Sequence, residues 1–172
     1  MSRRQITIEE NKRFSESHLW TAQRQYYDQK GVDAWDGDVP FYITSNPFIA
    51  SCYAEIVIRF IQDWLRHHPQ AKQNTFYILE LGVGTGQFSY YTMKKIFELR
   101  DALQMSDIKI QYIMSDFTES NLNFWKTHAA LQPYQEQKCL DYAVYDLEND
   151  DLTQYVYPSK NWLPLPCPQG DS

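Results

Sequence analysis

Three acidic residues and a cluster of glycines carry the chemistry in this chain. Gly82, Gly84 and Gly86 are three of its six glycines and fall within five positions, in the string ELGVGTG (80–86). FYIL before the string reads as a buried strand, and QFSYYTMKKIFELRDAL after it as a long helix. Strand, glycine turn, helix is how an open α/β sheet brings backbone against a ligand at the carboxyl ends of its strands. Such a turn asks for positive φ and leaves no room for a Cβ beside the ligand. Glu80 ends the strand ahead of the glycines, Asp116 stands in YIMSDFTES and Asp146 in AVYDLEND. Each acid falls at or just past the carboxyl end of a predicted strand, so all three should line one crevice. A carboxylate after the second strand can accept both hydroxyls of a ribose. One after the third strand can accept from an exocyclic amino group.

The elements that place these residues follow from periodicity. TFYILEL (75–81), residues 108–115 and residues 139–145 read as three strands. Helices are predicted over 87–104, with Phe88, Tyr91, Leu99 and Leu103 inward, and over 119–131, with Leu122, Trp125 and Ala129 inward. This alternation predicts an α/β, Rossmann-like parallel sheet, β1-αA-β2-αB-β3 in the order 3-2-1, with the second half of the sheet missing. Two helices precede it. One covers 7–30, with Thr7 and Glu10 at capping-box spacing and Gly31 just past its end. The other starts at Asn46 as N-cap with Pro47 in its first turn and stops at Pro69. Its stripe of Ile49, Tyr53, Ile56, Phe60 and Trp64 is expected to pack in the core. The expected organisation is a helical segment over 1–74, a partial cofactor-binding domain over 75–157 and a proline-rich, disordered tail over 158–172. The first strand is left with an open edge, which natural sheets avoid. Either the chain is the front half of a longer domain, or a partner chain or the N-terminal helices cover that edge.

Composition narrows the function classes. A chain of 172 residues that is 43% hydrophobic suffices for one domain with a core. A net charge of −6 and the lack of a basic stripe argue against a primary nucleic-acid role. Cys52, Cys139 and Cys167 are odd in number and scattered, which suggests reduced thiols in a cytoplasmic protein. No membrane span or secretory leader is expected, and no metal at His67 and His68. A dinucleotide oxidoreductase would need glycine at Gln87, or glycine or alanine at Ser89. Glu80 also opposes a pyrophosphate. A cationic cofactor such as S-adenosylmethionine suits an acidic crevice better.

At these residues the chain resembles class I S-adenosylmethionine-dependent methyltransferases. ELGVGTG (80–86) resembles their first motif, Asp116 their strand-two acid, and Asp146 with Leu147 their strand-three acid and its adenine neighbour. NPFIASCYAEIVIRFIQDW (46–64) ahead of that motif is similar to MidA-like methyltransferases. VPFYITSNPFIASCYAE with YIMSDFTESNLNFWKTH is similar to a methyltransferase region of bacterial repeat-containing proteins. The resemblance spans residues 20–150. It implies S-adenosylmethionine as cofactor, with Glu80 near the methionine amino group and Gly82, Gly84 and Gly86 letting backbone approach. It further implies Asp116 on the ribose hydroxyls, Phe117 packed by the adenine, Asp146 on its amino group and the Leu147 N–H on a ring nitrogen. Two departures stand out: Gly86 and Asp116 are 30 positions apart, and the strand-four motif is missing. The acceptor is not implied, a protein being one candidate, and none of Tyr90, Tyr91 or Glu119 is assigned as a general base. A second reading, of a different class, is a non-catalytic module that binds a partner through the open sheet edge.

Overall fold

The computed structural model describes residues 9–35, 42–43 and 45–147. Strands β1 (Thr75–Leu81), β2 (Lys109–Asp116) and β3 (Leu140–Val144) form one parallel sheet in the order β1-β2-β3. Thr75 lies opposite Lys109 and Tyr112 opposite Leu140. The strand order is the predicted one, with ends within one residue of those expected. Among the described residues β1 pairs only with β2, so its outer edge is open.

Among the described residues five α-helices accompany the sheet: α1 (His18–Lys30), α2 (Pro47–His67), α3 (Gln87–Ala102), α4 (Glu119–Thr127) and α5 (Gln132–Glu136). Helix α1 starts later than predicted, because Ser17 caps it by accepting the Leu19 N–H at 3.1 Å. A 3-10 turn over Phe14–Glu16 precedes it, and Thr7 lies outside the described residues. Gly31 closes α1 as expected and opens a second 3-10 turn, Gly31–Trp35. Helix α2 starts as predicted, with the Asn46 side chain accepting the Ile49 N–H at 3.0 Å and Pro47 in the first turn. The helix expected over 119–131 is two pieces. His128 turns extended, and Pro133 sits in the first turn of α5, where its missing N–H costs nothing. Ala129 is exposed rather than inward.

The core lies between one face of the sheet and α2, α3 and α4. Phe76 and Ile78 of β1, Ile110, Tyr112 and Met114 of β2, and Leu140 and Tyr142 of β3 point to this side. They meet Ala54, Ile58 and Ile61 of α2, Met93 and Ile96 of α3, and Leu122 and Trp125 of α4. Leu79, Ile113 and Ala143 form a separate cluster on the opposite face, as period-two alternation requires.

The predicted inward stripe of α2 is overturned. Tyr53 is 55% exposed, Ile56 63%, Phe60 59% and Trp64 44%; the buried positions are Ala50, Ala54, Ile58 and Ile61. The helix is apolar on two sides, and the side bearing alanines lets it sit close against α3. In α3 Leu99 packs against the core as expected, but the fully buried positions are Ser89, Thr92, Met93 and Ile96, and Leu103 is 47% exposed. The segment 158–172 lies outside the described residues, as does Cys167; Cys52 and Cys139 are free thiols. No helix among the described residues is long and apolar enough to cross a membrane.

Candidate functional site

The loop between β1 and α3 is held down by the end of β2. Asp116 is buried, and its Oδ2 accepts the Gly84 N–H at 3.0 Å while Oδ1 accepts the Thr118 N–H at 3.3 Å. The Val83 N–H reaches the Ser115 carbonyl at 3.0 Å, and Trp125 Nε1 donates to the Gly84 carbonyl at 3.0 Å. The loop backbone is thereby occupied on its inner side and presents its outer side to the strand ends. Gly84 (φ +61°) and Gly86 (φ +81°) sit in the left-handed region. A Cβ on Gly84 would come within 3.0 Å of the Trp35 ring, and one on Gly86 within 3.0 Å of the Met114 methyl. A Cβ on Gly82 would meet nothing within 4 Å, so its outer face is open space.

Glu80 sits where β1 meets the first turns of α3. Its Oε2 receives two hydroxyls, Ser89 Oγ and Tyr112 Oη, each at 2.6 Å. Burial raises its pKa, and these two donors act the other way by favouring the carboxylate. The Tyr112 phenol is pushed well above its usual range by burial and by the adjoining Glu80 charge. Among the described residues Glu80 Oε1 has no hydrogen-bond partner, and Glu80 lines a cavity of about 400 Å³ together with Trp35, Ile49, Tyr53, Gly82 and Phe88.

A second cavity, of about 210 Å³, adjoins the first at Gly82 and Trp35 and is walled by Tyr27, Gly84, Asp116, Phe117 and Asn121. Asn121 is 5% exposed, and its Oδ1 is buried with no hydrogen-bond partner among the described residues. An unpaired buried acceptor costs free energy and calls for a donor. A third hollow of similar size continues past Phe117 to Tyr27 and Arg24. The three run in series over the carboxyl ends of β1 and β2. A larger cavity, of about 520 Å³, lies on the far side of Thr85 and Gly86, between α3 and α4, with Tyr90, Phe124 and His128 in its wall.

The structure thus places Glu80, Gly82, Gly84, Asp116 and Phe117 around adjoining cavities, while Gly86 turns inward under the loop. Each Asp116 oxygen takes one backbone N–H, and the residue walls the second cavity. Asp146 is bound by the Arg24 guanidinium through two hydrogen bonds, of 2.7 and 2.9 Å. Arg24 also lies 4.9 Å above the centre of the Phe117 ring, and Leu147 is 66% exposed. The helix before the sheet therefore enters the site, which strand-end reasoning missed. Arg24, Tyr27, Trp35 and Asn121 have no spacing signal relative to the glycines. Tyr112 did have one: it shares the parity that turns Glu80 toward α3.

Comparison of the chain with models of known protein families, with curated proteins and with solved structures finds no match.

Proposed function

We propose that this chain carries the cofactor-binding part of an S-adenosylmethionine-dependent methyltransferase. The single observation that carries the reading is the series of cavities over the ends of β1 and β2. It is bordered by Glu80, the open face of Gly82, Asp116 and Asn121. The residues fit the group unevenly. The methionine end fits: Glu80 Oε1 suits an ammonium, and Gly82 leaves room for it. For the ribose, Asp116 walls the second cavity, and each of its oxygens keeps a lone pair beyond the backbone N–H it takes, the Gly84 bond pinning the glycine loop. The adenine end is filled by the chain itself. Trp35 covers Gly84, and Arg24 covers Phe117 and holds Asp146, so both must swing aside.

When bound, the cofactor supplies an electrophilic methyl group on a positively charged sulfur. The chain's own contribution is placement, which in well-oriented systems is worth about 7–11 kcal/mol. The aromatic side chains of Tyr53 and Phe88, whose rings meet edge-on at 5.4 Å, wall the cavity beside Glu80. Odd, scattered cysteines support a cytoplasmic protein in this reading.

Isothermal titration with S-adenosylmethionine, S-adenosylhomocysteine and NAD tests it. The first two should bind, and Asn121→Leu, which makes a polar wall of the second cavity apolar, should weaken both at least tenfold while the fold is kept. Binding of NAD alone, or of none by a folded chain, overturns the reading.

A further inference from the structure

Ile49, Tyr53, Ile56, Phe60 and Trp64 run along one side of α2, and the last four stand between 44% and 63% exposed. Phe48 at the start of the helix is 74% exposed. Scattered surface apolar residues need no explanation, but a contiguous stripe on a single 21-residue helix does. Its members are also organised: Phe60 stacks on Trp64 at 6.1 Å, and Trp64 lies 4.3 Å from the His68 ring.

We infer that the α2 stripe is a homodimer interface, with two copies meeting antiparallel along this helix. The first argument is area. Side chains of this kind present 150–250 Å² each, so the four exposed fractions leave roughly 450 Å² open per copy, or roughly 900 Å² for a pair. That area forms the apolar centre of an interface, and the charged flanks add the remainder of the roughly 1,200 Å² that a specific one buries. The second argument is charge. Glu55, Arg59, Asp63 and Arg66 flank the stripe on one side, alternating in sign, and all four are exposed. In an antiparallel helix pair a flank meets the same flank of its partner. A four-residue offset then sets Glu55 against Arg59 of the other copy, twice by symmetry. The Asp63–Arg66 pair, at 2.8 Å within one helix, is compatible with this. The stripe is therefore self-complementary both in apolar surface and in charge. Ile49 and Tyr53 also wall the cavity at Glu80, so the second copy borders the candidate site.

The test is the mass of the full chain by light scattering after gel filtration, in reductant so that Cys52 cannot cross-link copies. A mass of twice 20.5 kDa is expected at about 100 µM, falling toward the monomer on dilution. Ile56→Glu should yield monomer with an unchanged circular dichroism spectrum. Arg59→Glu should weaken the dimer at least tenfold, and the double exchange Glu55→Arg with Arg59→Glu should restore it. A wild-type monomer at the higher concentration overturns the inference. So does a dimer indifferent to Ile56→Glu, or a charge exchange that fails to restore association in a folded protein.

Discussion

Glu80 shows how neighbours set what one carboxyl group can do. Two hydroxyls, from Ser89 and Tyr112, converge on a single oxygen, and burial opposes the charge they stabilise. The net effect raises its pKa above the value of 4.5 for a free glutamate. A raised pKa means the native state holds its proton to higher pH than the unfolded chain does. The associated stability is complete below about pH 4 and is lost as pH climbs through the native pKa. Glu80→Gln, which keeps an acceptor oxygen for the same two hydroxyls but cannot titrate, should remove that dependence. Thermal melts from about pH 4 to pH 7 should show wild type losing ground to the variant as pH rises, and parallel curves would refute this. Asp116 makes the complementary point. Its position at a strand end was legible; the Gly84 and Thr118 N–H groups that meet its two oxygens were not, because they depend on how the glycine loop folds over β2.

Among the elements, α2 departs furthest from what its sequence pattern suggests. A 3.6-residue period identifies a helix and its cap, and both are present. It does not choose between two apolar sides 100° or so apart. Contact with α3 favoured the side carrying Ala50 and Ala54, because small residues let the helices approach. The two sides should differ sharply under mutation. Ile58→Ala, in the buried set, should cost about 2–5 kcal/mol by urea denaturation. Ile56→Ala, on the exposed set, should stay within about 0.5 kcal/mol when measured on dilute monomer. Equal costs would mean the helix is rotated from the orientation described. The α4–α5 break has a simpler origin: the apolar pattern runs on, but the extended conformation at His128 and the proline at 133 interrupt the backbone.

Across the sheet, protection should follow strand order. β2 is hydrogen-bonded on both sides, whereas β1 is open on one among the described residues. Native-state hydrogen exchange should find the amides of Tyr112–Asp116 slowest, with the β1 amides directed to the open edge far faster. Uniform protection of β1 would show that its edge is covered in solution. The strand–helix alternation, the parallel order β1-β2-β3 and the glycine turn at the first strand end could all be read from local pattern. Each depends on spacing within a short stretch of chain: period two, period 3.6, or positive φ at glycine. The contents of the site could not be read this way. Arg24 meets Asp146 across 122 positions, Trp35 rests on Gly84, and Asn121 faces a cavity built from α1, the glycine loop and β2. Contacts between segments so far apart arise only when helices and sheet pack, since packing alone settles which side chains share a cavity and which face of an amphipathic helix is left to water.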